Sequence, residues 1–178
     1  KLTNLQQEII RLLFIKAGNK LNARQIARFL DVSQPGVSKA LPLLEKQDLI
    51  KVNKDKETKR FSIEINRDNH RIMQLKRVEN LKLLYESGFV DFIEKELAGG
   101  TIILFGSYSR GEDTEKSDID ITVIGRKDKI IDLKYYEKIL ERKININFYE
   151  SFKTIHKDLK DNILNGIILI GGVELWKR

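Results

Sequence analysis

The chain has 178 residues, 41% of them hydrophobic and 33% charged, which suffices for packed cores and is too balanced for disorder. With no cysteine and only two isolated histidines, His70 and His156, it excludes disulfide frameworks, thiol catalysis and thiolate zinc sites, so any metal is expected on oxygen. The net charge of +7 is lopsided: residues 1–70 carry 14 basic against 8 acidic side chains and the remainder 19 against 18, which suggests a polyanion-binding module joined to a nearly neutral one.

The length suits two compact domains, and no apolar run reaches the roughly 18 residues of a membrane span. The N-terminus lacks a basic-then-apolar signal pattern, so the expected location is the cytoplasm. Leu5, Ile9, Leu12 and Leu13 space a first helix that ends at Gly18-Asn19. A second helix over residues 22–30 follows, capped by Asn22, with Ile26, Ala27 and Leu30 inward. After the tight turn at Asp31-Val32-Ser33, a third helix takes Ser33 as cap and Pro35 in its first turn. Val37, Ala40, Leu41 and Leu44 share its apolar face, while Gln34, Ser38 and Lys39 face outward and can bond base edges or phosphates. Pro42 is expected to kink or shorten this helix. Residues 49–53 and 59–66 read as a hairpin whose tip, with Lys54, Lys56, Lys59 and Arg60 in and beside it, is basic.

Three helices and a basic hairpin, carried by Ala23, Ile26-Ala27 and Ser33-Gln34-Pro35-Gly36-Val37-Ser38, resemble the winged helix–turn–helix transcription regulators. The resemblance implies double-stranded DNA as partner, with the third helix in the major groove and the wing on the flanking backbone. The residues expected on DNA are Gln34, Ser38, Lys39, Lys54, Lys56, Lys59 and Arg60.

Residues 68–97 are helical in pattern with a break at Ser87-Gly88. The stripe Ile72, Leu75, Val78, Leu81, Leu84 and Tyr85 suits a bridge between domains and a homodimer seam. Thr101-Ile102-Ile103-Leu104-Phe105 is then a buried strand running into Gly106-Ser107. In Asp118-Ile119-Asp120-Ile121-Thr122-Val123 the alternation sets both aspartates on one strand face, about 7 Å apart. Such a pair suits magnesium or manganese shared with substrate phosphates, and the glycine admits a phosphate against the backbone. Ser107 and the N–H groups of the helix that follows can bond the phosphate oxygens.

Gly106-Ser107, ten residues, then Asp118-x-Asp120 is similar to the signature of the DNA polymerase β-like nucleotidyltransferase superfamily, over about residues 90–178. The resemblance implies an NTP substrate, ATP foremost, two Mg2+ (or Mn2+) ions, Ser107 on the phosphates, attack on the α-phosphorus and release of pyrophosphate. Asp118 and Asp120 become catalytic and metal-binding, and Gly106, Ser107 and Arg110 nucleotide-binding. The family's third carboxylate belongs on the strand Ile144-Asn145-Ile146-Asn147-Phe148-Tyr149, whose polar face offers asparagines instead. Asn147 is the expected third, neutral metal ligand. Further on, residues 130–143 and 151–164 read as helices, and residues 167–176 as a hairpin turning at Gly171-Gly172.

The expected fold is mixed α+β: a winged helix–turn–helix over 1–67, a connecting helix over 68–89, and a nucleotidyltransferase-fold α/β domain with a mixed sheet over 90–178. The expected function is that of a prokaryotic DNA-binding protein whose transferase domain passes a nucleoside monophosphate to an acceptor, such as a protein side chain. The alternative is a transcription regulator whose transferase-like domain senses nucleotide or mediates assembly without catalysis.

Overall fold

The computed structural model describes residues 1–54 and 61–173. They form two compact units, Lys1–Lys76 and Arg77–Arg178, divided within one helix.

In the first unit, helices α1 (Asn4–Ile15), α2 (Ala23–Leu30) and α3 (Gln34–Lys46) precede strands β1 (Ile50–Lys54) and β2 (Phe61–Ile65), paired antiparallel. Thr3 with Gln6 and Asn22 with Gln25 form reciprocal capping boxes that start α1 and α2, and Ser33 accepts the Gly36 N–H at 3.2 Å to start α3. Leu21 adds a bridge to Ile63 beside the hairpin. Ile9, Leu13, Ile26, Val37, Leu44 and Ile63 close the core. The helix α3 does not stop at Pro42 but runs on to Lys46. The carbonyl that loses its donor belongs to Ser38, on the exposed side where water can serve it, while buried Ala40 and Leu44 hold the helix to the core. The wing tip, with Lys56, Lys59 and Arg60, lies outside the described residues.

The dividing helix is α4 (His70–Glu86). Its buried line is Ile72, Lys76, Asn80 and Leu84, whereas Leu75, Val78 and Tyr85 of the anticipated stripe are exposed. Periodicity of apolar residues missed this because two of the buried positions are polar. Gly88, at φ 74°, breaks the chain before α5 (Phe89–Glu96).

The second unit is built on a four-stranded mixed sheet in the order β5-β4-β3-β6. Strand β3 (Thr101–Phe105) lies antiparallel to β4 (Ile119–Ile124) and to β6 (Ile167–Ile170), and β4 lies parallel to β5 (Ile144–Tyr149). One sheet face, with Ile102, Leu104, Ile119, Ile121 and Val123, packs on Leu84, Phe89 and Ile93. The other, with Ile103, Phe105 and Ile124, packs on Ile155 and Ile163. By strand alternation Asp120 and Thr122 belong to this second face.

Helix α6 (Gly106–Arg110) is a single short turn after β3. The anticipated helix over 130–143 is shorter, α7 (Lys134–Leu140): the Asp132 carboxylate accepts the Lys134 N–H at 3.1 Å and starts it there, leaving Ile130 fully exposed. The anticipated helix over 151–164 is broken. Ser151 caps only a 3-10 turn, Phe152–Thr154, then Ile155 turns extended to bury its side chain, and α8 (Lys157–Leu164) begins anew. Of the anticipated second hairpin strand, residues 173–176, all but Val173 lie outside the described residues.

Candidate active site

The sheet brings three strand ends to one edge. Phe105, the last residue of β3, pairs with Asp120, and Asp120 pairs with Asn145 near the start of β5. The chain leaves β3 through Gly106 at φ 75°, a left-handed conformation that suits glycine. A Cβ at Gly106 would stand 2.7 Å from Asp120 Oδ2, so the turn lies directly against the carboxylate. Ser107 follows, partly exposed, and the Ser109 hydroxyl donates to the Gly106 carbonyl at 2.8 Å, tightening the turn.

Asp118 is exposed and Asp120 partly so. Between them stands Asn145, whose Nδ2 donates to Asp118 Oδ2 at 3.1 Å and to Asp120 Oδ1 at 3.2 Å. Asn147, the residue expected as third metal ligand, pairs instead with Thr122, two residues further along the strands and away from the pair. The cause is register: the Ile119 N–H bonds the Lys143 carbonyl at 2.8 Å, which sets β5 so that Asn145 is level with Asp120.

Two carboxylates, with the carboxamide oxygen if the amide is turned over, are hard oxygen donors of the kind magnesium takes when it also binds substrate phosphates. They do not make a cage of protein acids: among the described residues no group of three Asp, Glu, His or Cys is placed to hold a metal. The set fits a cation shared with a phosphate-bearing ligand.

The loop from α6 to Asp118 is pinned by a buried network that sequence reasoning missed. Asp113, fully buried, faces the Arg142 guanidinium at 3.4 Å and accepts from Asn80 Nδ2 at 2.7 Å, and the same amide donates to the Tyr108 carbonyl at 2.9 Å. In sequence Asp113 is one more acid in a polar loop, and only its burial marks it. Arg110 points its guanidinium to Glu112 at 2.8 Å and to Asn162 of α8 at 3.1 Å, and is half exposed. Beyond Asp118, on the β5 side of the edge, a cleft of about 510 Å³ is lined by Lys116, Lys134, Lys138 and Lys143 together with Glu137 and Glu141.

In the first unit Gln34, Ser38 and Lys39 are all exposed on α3, and Lys54 is exposed at the end of β1 with its ammonium 5.5 Å from the Phe61 ring centre. Arg24 and Arg28, one turn apart on α2, are exposed too and line a second hollow with Asn22 and Gln25. Apolar periodicity in α2 singles out only its buried face and gives no signal for these two arginines.

Comparison with known proteins agrees with this division. A nucleotidyltransferase domain family matches residues 87–170, and the MarR family matches residues 6–60. Methanocaldococcus jannaschii MJ0435, which carries the name "Putative protein adenylyltransferase", is 45% identical over 67 residues, covering 35% of this chain and 69% of its own length. MJ0604 of the same organism, named likewise, is 38% identical and covers 35% of this chain and 82% of its own length. Among solved structures, the adhesin competence repressor AdcR of Streptococcus pyogenes is 27% identical with a TM-score of 0.41, over 53% of this chain and 68% of that one. The S. aureus MepR–DNA complex is 22% identical with a TM-score of 0.40, over 55% of this chain and 79% of that one. By its C-terminal half the chain belongs to the nucleotidyltransferase family, with a MarR-family winged helix ahead of the transferase domain.

Proposed function

We propose that the C-terminal unit transfers a nucleoside monophosphate, AMP from ATP foremost, to a hydroxyl on a protein acceptor, and that the winged helix holds double-stranded DNA. The observation that carries the first part is the approach of Gly106 to Asp120, which sets a bare backbone turn and a hydroxyl, Ser107, beside a carboxylate pair. A triphosphate laid along that turn meets the Ser107 hydroxyl. Asp118, Asp120 and the carbonyl oxygen of Asn145 would hold a divalent cation, which when bound neutralises charge developing on the phosphates.

The acceptor approaches from the lysine-bordered cleft, because the sheet order puts the Gly-Ser turn on the β3 side of Asp120 and the cleft on the β5 side. Its oxygen bonds to the α-phosphorus as the α–β bridge breaks and pyrophosphate leaves on the side of the turn. Asn145 takes no proton, so the acceptor's proton leaves through the open cleft to water. Lack of a positioned base lowers turnover by ~10²–10⁴-fold. The names of the two Methanocaldococcus relatives support protein as the acceptor class. The exposed Gln34, Ser38 and Lys39 on α3 support DNA contact through that helix.

The test is incubation with ATP labelled on its α-phosphate, magnesium and a cell extract supplying acceptors. Label on protein that vanishes in an Asp118→Ala/Asp120→Ala variant supports transfer. A second reading, nucleotide sensing without transfer, is favoured by the amide at Asn145. Calorimetric binding of ATP with no label on protein selects it, and absence of both binding and label rejects the nucleotide site.

A further inference from the structure

We propose that Asn145 makes divalent-cation binding conditional on nucleotide, through the amide that bridges Asp118 and Asp120. The inference rests on the nucleotide site proposed above and assigns this residue a role in positioning the metal. Two neighbouring carboxylates repel, and a hydrogen-bond donor set between them offsets that repulsion. Here the carboxamide does so, giving one N–H to each acid at 3.1 and 3.2 Å. The parallel ladder and the Ile119–Lys143 bond hold the Asn145 backbone level with Asp120, so its side chain stays within reach of both acids.

Within that reach it can turn over. An amide presents either its NH2 or its carbonyl oxygen, and the partners decide which. Facing two bare carboxylates, the NH2 is the attractive choice. A cation seated among the same oxygens takes the place of both hydrogen bonds and demands the carbonyl. With only two negative charges and a competing donor, the protein alone is a poor magnesium or manganese ligand. Triphosphate oxygens supply the missing charge and donors, so cation and nucleotide bind as one. A carboxylate at position 145 would remove the donor and add a charge.

The experiment is titration of the full chain with Mn2+, followed by electron paramagnetic resonance of the free ion, with and without α,β-methylene-ATP. Wild type is expected to take up Mn2+ at least ~10-fold more tightly with the analogue than without it. Asn145→Asp is expected to bind Mn2+ by itself, and to melt at lower temperature than wild type in EDTA but not in Mn2+. Mn2+ binding by wild type alone, as tight as with the analogue, overturns the inference whatever the variant does. Equal binding of the analogue with and without Mn2+ overturns it too. If the analogue does not bind at all, the nucleotide site itself fails, and the inference with it. An Asn145→Ala control that melts lower in EDTA than wild type supports the bridging role, and one that melts no lower overturns it.

Discussion

Gly106 and Asp120 are packed so closely that a methyl group on the glycine would meet the carboxylate oxygen at 2.7 Å. Carbon and oxygen do not approach so far without one of them shifting, and Gly106 also holds a φ of 75° that L side chains rarely adopt. The closeness follows from the sheet, since Phe105 and Asp120 are paired residues and the glycine is the next one along. Backbone and carboxylate thus form the two walls of one narrow edge, and each depends on the other.

Gly106→Ala therefore strains the turn and pushes Asp120 aside at once. The expected cost is about 1–3 kcal/mol of folding stability, read as a lower urea midpoint. ATP affinity should fall together with it. Ser107→Ala, by contrast, should leave the urea midpoint within ~0.5 kcal/mol of wild type while weakening ATP, because its side chain is partly exposed. Equal stability of Gly106→Ala and wild type would contradict the packing.

Arg142→Met should be among the most damaging substitutions in the second unit. It takes from the fully buried Asp113 the guanidinium that faces it, which costs about 3–5 kcal/mol. Replacing both partners, Arg142→Met with Asp113→Leu, removes the uncompensated charge and should recover much of the loss. The urea midpoints of the two single variants and the double one form a cycle that checks this. A double variant as unstable as the sum of the singles would show that the two groups do not act as a pair.

The reason some of this was legible in the sequence and some was not is physical. Helix starts such as Thr3, Asn22 and Ser33 are local: side chain and backbone three residues apart decide them, and they can be read one window at a time. The glycine turn and the paired aspartates are local too. What strand parity could not decide was which asparagine meets the aspartates, because Asn145 and Asn147 share a face and only the Ile119–Lys143 pairing sets their level. The Asn80–Asp113–Arg142 network joins positions 29 to 33 residues apart or more, and nothing in any one segment announces it. Likewise Ile155 breaks the anticipated helix because a pocket in the sheet's second face takes its side chain, a tertiary demand that overrides helical periodicity.

Thr122→Val should stabilise the second unit. The residue is fully buried on the same sheet face as Asp120, and its hydroxyl oxygen has no hydrogen-bond partner among the described residues. Valine has nearly the same shape and removes the unmet group, a gain of about 1 kcal/mol visible as a raised melting temperature. A fall in melting temperature would show that the hydroxyl is in fact bonded.

Lys39→Ala bears on the winged helix. If α3 lies on DNA as proposed, the exposed Lys39 neutralises a phosphate, and its loss should flatten the slope of log affinity against log salt by about 0.9. Gln34→Ala carries no charge and should leave that slope alone. Fluorescence anisotropy with a labelled duplex at several salt concentrations measures both. An unchanged slope in Lys39→Ala would remove this lysine from the contact.

The buried phenol of Tyr108 makes the second unit sensitive to alkali. Burial, and then the negative charge of Asp113 close by, hold its pKa well above the ordinary 10.0, with Arg142 opposing only in part. Its folded value thus lies above its unfolded one. Below about pH 10 both states keep the proton and stability is unaffected. Above it, the unfolded chain ionises while the folded phenol cannot, so stability drains away as pH climbs toward the folded value. Urea midpoints measured from pH 8 to 11 should hold level and then drop, and Tyr108→Phe should blunt the drop because the remaining tyrosines are less enclosed. If Tyr108→Phe loses stability over this range as steeply as wild type, the phenol is not the group that resists ionisation.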